Sequence, residues 1–253
     1  MLPNLVPFFK PPYDTYAHGV DLTPLRSTAT FSELLESPHF IDHITRFSLE
    51  RGVTKSRAQA SVWHMYYTFN IFPSIIVSHS LLLTPLPLKL CELSYNPEQL
   101  SILLPHQGKA LKNSDTEARY HDLLFNHLSP LHDLLHQAFG VKERTLWSNC
   151  FYRLNDFFDI IMGLVGAHPT LLEDKQILTT SAHFGALKNP LKFTEITAHD
   201  PSGKYQIRPE CCLLHDRENG NYCRDCPKHK HNMVQRKAAL SNLSKLRKNV
   251  SIE

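Results

Sequence analysis

Apolar side chains recur every three or four positions over most of the first 190 residues, then alternate at every second position just before a knot of cysteines. Phe40, Ile41, Ile44 and Phe47 share one face of a helix that Ser37-Pro38 opens, with proline at the first helical position, and that Gly52 stops. The spacing predicts a longer helix over about 55–83, bent at Pro73, whose ring removes an amide from the ladder. Leu124, Leu128, Leu131, Leu135 and Phe139 predict another over 115–139, closing at Gly140. Leu146, Cys150, Leu154, Phe157, Ile161 and Leu164 make one stripe between Glu143 and Val165, which reads as core. A further helix is expected from Thr170, with Glu173 closing a capping box.

Extended structure is expected in three places. Pro3, Pro7, Pro11 and Pro12 suggest an arm laid along the body. The apolar runs 88–93 and 100–104, separated by Asn96-Pro97, predict paired strands. The alternating runs 192–197 and 204–208 flank the turn Asp200-Pro201-Ser202-Gly203, a hairpin that delivers the chain into Cys211. The predicted fold is therefore α+β: a predominantly helical body with a small β-hairpin platform leading into a C-terminal cysteine-rich loop. It divides into an arm (1–20), the body (21–190), the hairpin and cysteine loop (191–227), and a basic terminal helix or tail (228–253).

Composition narrows the options. With 253 residues, 42% of them hydrophobic, the chain buries a substantial core without help from a metal, so a metal here is a functional centre rather than a staple. The longest apolar stretch, 69–83, is too short for a bilayer and is interrupted by Pro73, Ser74, Ser78, His79 and Ser80. No transmembrane segment is expected, though peripheral membrane association stays open. The opening residues carry no positive, then apolar, leader, so a reducing, cytoplasmic setting is expected.

In that setting clustered cysteines read as metal or redox chemistry rather than disulfides. Cys211, Cys212, Cys223 and Cys226 form the pattern Cys-Cys-x10-Cys-x2-Cys. Adjacent residues of a regular strand point to opposite faces, so Cys211 and Cys212 serve one centre only where the backbone is irregular. Structural zinc sites usually separate paired ligands by two to four residues. A binuclear iron-sulfur cluster accepts ligands that diverge. Spacing alone leaves zinc and iron-sulfur both open. Cys91 and Cys150 lie in apolar contexts and read as plain buried residues. The sixteen histidines, His229 and His231 included, read as surface residues, since no second spaced ligand pair accompanies them.

The quartet resembles that of FhuF-type ferric siderophore reductases, as does the segment Leu146-Trp147-Ser148-Asn149 with Phe151-Tyr152-Arg153-Leu154 after it; the likeness covers about 142–227. The resemblance implies a cytoplasmic protein with a 2Fe-2S cluster on Cys211, Cys212, Cys223 and Cys226, reducing siderophore-bound Fe(III). No nucleotide-binding glycine motif is present, so the electron donor is expected to be external. The chain departs from the family pattern in Ile207-Arg208-Pro209-Glu210, where arginines are common, and in His215, where tyrosine is common.

Charge and aromatic residues supply candidate substrate contacts. The formal net charge of +3 falls near neutral if an oxidised cluster adds about −2, so steering has to be local. Arg208, Arg217, Arg224, Lys228 and Lys230 stand near the cysteines, as attractors of an anionic chelate or as solvated surface charges. Trp147, Asn149, Tyr152 and Tyr222 complete the candidate siderophore surface, with Trp147 equally readable as core. The competing functional class is a zinc knuckle with a basic tail that binds nucleic acid or a partner through Lys237, Lys245, Arg247 and Lys248. Under the reductase reading no nucleic acid is expected.

Overall fold

The computed structural model describes residues 2–22, 29–111 and 114–250, with side chains through residue 242. Elements follow in the order β1 (Val20–Leu22), α1 (Phe31–Leu35), α2 (Pro38–Leu49), α3 (Ser56–Ile76), β2 (Ser94–Asn96), β3 (Ser101–Leu104), α4 (Thr116–His121), α5 (Ser129–Phe139), α6 (Glu143–Val165), α7 (Pro169–Thr180), β4 (His183–Phe184), β5 (Leu187–Lys188), β6 (Ile196–Asp200), β7 (Gly203–Ile207) and α8 (Lys230–Val250). Helices dominate and the strands are short, so the α+β expectation holds.

α3 is the hub. It is apolar on nearly every face because α2, α5 and α6 surround it, and a helix enclosed in this way needs no polar stripe. Pro73 lies inside it, and the helical path continues beyond Ile76 as a π-helical turn, Val77–Leu81. The expected helix over 115–139 is likewise α4 and α5 joined by a π-helical stretch, Asp122–Leu128, ending where Gly140 takes φ +66°, a conformation glycine adopts without strain. Gly19 is required for a different reason: a Cβ there would lie 1.8 Å from the Asn70 carbonyl oxygen of α3. Asp174 on α7 is fully buried and accepts hydrogen bonds from Ser80, Thr116 and Arg119, tying α7 to α4 and the end of the α3 path.

Four local expectations need correction. The first twenty residues coil through two 3₁₀ turns instead of lying extended, because Leu2, Leu5, Phe9 and Ala17 all sink into the core. Run 88–93 is not a strand. Its polar groups are taken elsewhere: Leu90 and Leu93 carbonyls accept the Ser32 and Phe31 amides of α1, the Leu90 amide goes to Asn126, and the Leu88 carbonyl meets His127. The antiparallel partner of β3 is instead β2, with Tyr95 opposite Ile102, and β1 adds in parallel on the other edge. α7 begins at Pro169 with His168 before it and no side-chain cap, so Thr170 lies inside the helix. Finally, the hairpin starts at Ile196 rather than 192, since Phe193 is committed to packing on Phe151.

The hairpin β6–β7 is closed by the expected turn, with Asp200 opposite Gly203 and Ile196 opposite Ile207. Ile196, Ala198 and Ile207 form a separate small apolar cluster that Ala239 of α8 covers. Among the described residues no helix is long and apolar enough to cross a membrane.

Candidate metal centre in the cysteine loop

β7 ends at Ile207, and the next four residues carry the chain under the body to Cys211. The Sγ atoms of Cys211 and Cys226 stand 3.5 Å apart, and the thiol of Cys223 bonds that of Cys212. The quartet thus pairs outer with outer and inner with inner. Cys211, Cys212 and Cys226 are buried and Cys223 half-buried. Adjacency of the first two is accommodated by Leu213, whose φ of +64° turns the chain sharply. That turn aims the Leu213 amide at Cys211 and the Leu214 amide at Cys212, while the Lys228 amide reaches Cys226.

The thiols are primed unequally. The hydrogen bond from Cys226 pulls the Cys211 thiol down to about 7, with the Leu213 amide and Lys228 acting in the same direction against burial. The bond from Cys223 pulls Cys212 down to about 6, with Arg208 assisting. Their partners Cys223 and Cys226 are pushed up, first by that same hydrogen bond and then by burial. Each pair therefore gives up its first proton more easily than its second.

The loop is sewn to the body on every side. Ser61 of α3 donates to the Cys212 carbonyl at 2.7 Å, and the Asn149 amide of α6 donates to the Ser61 hydroxyl at 3.1 Å. Ser148 accepts the Glu210 amide at 3.0 Å. Arg208 donates to the Asn149 side-chain oxygen at 3.3 Å, lies 4.1 Å over the Tyr152 ring, and its amide bonds the Asp225 carbonyl inside the Cys-x2-Cys knuckle. From the far side Asn232 of α8 donates to the carbonyls of Arg224 and Cys226, and Tyr205 of β7 donates to Asn232. Beyond Leu214 the chain pairs back on the α2–α3 turn, with Glu218 bonded to Gly52 and Asp216 2.6 Å from Lys55.

These contacts redraw the candidate substrate surface. Trp147, Asn149 and Arg208 are buried at 8%, 0% and 4% exposure, so they are supports of the loop and the core rather than groups a chelate touches. Trp147 packs its ring against His132, 4.3 Å between centroids. Tyr152 is half-buried under Arg208. Arg224 is exposed but engaged, paired with Asp200 at 2.7 Å and stacked on Tyr205. Arg217, Tyr222, Lys228 and Lys230 remain exposed around the loop. The basic tail residue Lys237 is exposed on α8; the side chains of Lys245, Arg247 and Lys248 lie outside the described residues.

Several residues that touch the cysteine loop carry little or no signal in the sequence. His215 comes 3.5 Å from the Cys211 sulfur through Nδ1 and stacks on Tyr222 at 4.5 Å; burial holds its pKa down. Its departure from the family pattern was the only signal. Ser61 and Asn232 carried none, lying 150 residues before and six residues after the loop they brace. The histidines also need correction: His64, His79, His127 and His132 lie in the core, not on the surface. Cys91 is exposed, contrary to expectation.

A helical body that carries a braced four-cysteine loop on a short hairpin is the class of protein this architecture defines. Residues 91–200 match the family model described as ferric iron reductase FhuF-like transporter, a similarity in line with the sequence resemblance. The matched segment runs from the start of the strand region to the end of β6 and stops before Cys211; the cysteine quartet is a separate observation beside it. Among curated proteins none matches the chain.

Proposed function

We propose that this chain is a ferric-siderophore reductase that holds a 2Fe-2S cluster on Cys211, Cys212, Cys223 and Cys226. The observation that carries the reading is the pairing of the four sulfurs, Cys211 with Cys226 and Cys212 with Cys223, next to a body that matches a ferric iron reductase family. Four thiolates around one zinc ion would all lie within about 4 Å of one another. Among the described residues the group of three or more potential ligand atoms mutually within 4.8 Å is His64, His132 and Cys150, so the quartet does not contract to a single point. Two divergent pairs suit two irons.

Bound there, such a cluster supplies a one-electron couple. The chain's own residues set its surroundings: amides of Leu213, Leu214 and Lys228 point at the sulfurs, and Arg208 buries a positive charge beside Cys212. The amides and Arg208 would favour the more negative, reduced state and raise the potential, against the opposing Asp225 carboxylate 3.9 Å from Arg208. The substrate chemistry asks for one electron. Siderophores grip ferric iron through hard anionic oxygens that suit ferrous iron far less, so its reduction by one electron from an external donor loosens the chelate. Arg217, Lys228 and Lys230 give the rim around the loop a positive face toward an anionic chelate.

The test is electron paramagnetic resonance of anaerobically purified, dithionite-reduced protein, with turnover of a ferric siderophore read by a ferrous trap. A binuclear iron-sulfur signal that Cys212→Ser perturbs or abolishes, together with trapped Fe(II), is expected. A colourless protein with zinc on the quartet would overturn the reading.

A further inference from the structure

His64 of α3, His132 of α5 and Cys150 of α6 meet at one point in the core, where each is 0–1% exposed. Nε2 of His132 lies 2.9 Å from Nε2 of His64, and the Cys150 sulfur lies 3.7 Å from the first of these histidines in the chain and 3.9 Å from the second. We propose that these three residues form a second metal site, separate from the cysteine loop, for a thiophilic d-block cation of the zinc or monovalent copper type. The proposal stands independently of the reductase reading.

Geometry comes first. With metal–nitrogen bonds of about 2.0–2.1 Å and a metal–sulfur bond of about 2.3 Å, ligand atoms around a three- or four-coordinate ion lie roughly 3.3–3.9 Å apart. Both sulfur–nitrogen separations already fall there. The two nitrogens need to part by a few tenths of an ångström, a small ring rotation on two separate helices. Because the ligands come from three packed helices, the site is held rigidly by the fold and not by a flexible loop.

The chemistry agrees. Without a cation the two Nε2 atoms share a single hydrogen, which forces the rings into opposite tautomers, while both Nδ1 atoms are without a protein partner with or without the cation. Two imidazoles and a thiol are thus desolvated for one internal hydrogen bond and two long sulfur contacts, an expensive arrangement for a core that could have used leucine. A bound cation takes the lone pairs of both Nε2 atoms and of the sulfur, and both rings then carry their hydrogen on Nδ1. Binding displaces the Cys150 thiol proton to solvent, so one negative charge faces the cation. A monovalent ion leaves the buried assembly neutral and a divalent one leaves it at one positive charge. Imidazole and thiolate disfavour hard, oxygen-seeking ions such as magnesium or calcium. Trp147 packs against His132, and burial of the whole site implies loading as the chain folds.

The site lies directly behind the cysteine loop. His64 follows one helical turn after Ser61, which holds the Cys212 carbonyl, and Cys150 follows Asn149, which holds Ser61. Two centres so placed call for a double dissociation. Full-length protein is assayed for zinc, copper and iron by elemental analysis, and cobalt(II) is added to metal-stripped protein that has been refolded. About one equivalent of zinc or copper beyond the cluster iron is expected, with a cobalt–thiolate charge-transfer band in the near ultraviolet. Cys150→Ser should lower the affinity at least roughly tenfold while leaving the iron-sulfur spectrum, and Cys226→Ser should do the reverse. If Cys150→Ser fails to fold, X-ray absorption at the edge of the second metal in unaltered protein decides: one sulfur with two nitrogens supports the site. A shell of four sulfurs, no second metal in folded protein, or a cobalt band that survives Cys150→Ser overturns it.

Discussion

Ser61, in the first half of α3, donates its hydroxyl to the carbonyl of Cys212 at 2.7 Å, across 151 residues of sequence. That single bond registers the cysteine loop against the hub helix, and Asn149 and Arg208 are hung from the same point. The cysteine loop is therefore anchored to the helical core beneath it.

Removing that anchor leaves both the Cys212 carbonyl and the Asn149 amide unpartnered in the interior. Ser61→Ala is expected to cost about 1–3 kcal/mol of stability and to speed cluster loss. Denaturant melts, together with bleaching of the visible band in air, check it. An unchanged bleaching rate would mean that the loop holds its shape without α3.

Arg208 places a positive charge beside Cys212 with 4% exposure, where solvent screens it poorly. Arg208→Gln should lower the reduction potential by some tens of millivolts, each ~59 mV being a tenfold change for one electron, and Arg208→Lys should recover part of that shift. Potentiometric titration followed by paramagnetic resonance reads both. Equal potentials in all three proteins would show that Arg208 acts only as a brace.

Asn232 joins α8 to the knuckle through the carbonyls of Arg224 and Cys226 and is itself held by Tyr205. Asn232→Ala should destabilise by roughly 1–2 kcal/mol, and Tyr205→Phe by less, because only one of the bonds is lost. Thermal melts compare the two, and hydrogen exchange across 223–232 should show faster opening in Asn232→Ala.

Stability should fall steeply in acid. Burial holds His79 down to about 3 and His127 to about 4, both fully enclosed. Nε2 of His79 accepts the Leu86 amide, and His127 meets the Tyr67 hydroxyl through Nε2 and the Leu88 carbonyl through Nδ1, so each is kept neutral. The unfolded chain binds a proton at each below about 6.5, where the folded one does not. The stabilisation is complete above that pH and shrinks on acidification by about 1.4 kcal/mol per unit per histidine, until the folded pKa values are reached. His127→Gln should flatten the slope between pH 6 and 4 in urea melts at stepped pH; a slope identical to the unaltered protein's would show that His127 titrates normally.

Arg217 and Lys228 are exposed at the rim of the loop. Reversing both to Glu should raise KM for an anionic ferric chelate roughly tenfold at low salt, with the difference shrinking as ionic strength rises. Steady-state reduction at two salt concentrations measures it. A change confined to kcat would argue against steering.

The sequence by itself determined the helical periodicity, the proline and glycine that bound α2 and α5, the Asp200–Gly203 turn and the cysteine spacing, because each of these is a local property carried by neighbouring residues. It also carried the resemblance that the match over 91–200 bears out. Only tertiary structure decided the rest. Trp147-Ser148-Asn149 was visible as a motif, but its burial beneath the loop depends on α3, whose Ser61 lies 88 residues before Asn149. Run 88–93 had the composition of a strand, yet its carbonyls and amides found partners on α1, His127 and Asn126, none of them local. His64, His132 and Cys150 share no spacing at all; they meet because three packed helices bring their polar atoms to one point, and no pattern along the chain encodes a contact of that kind.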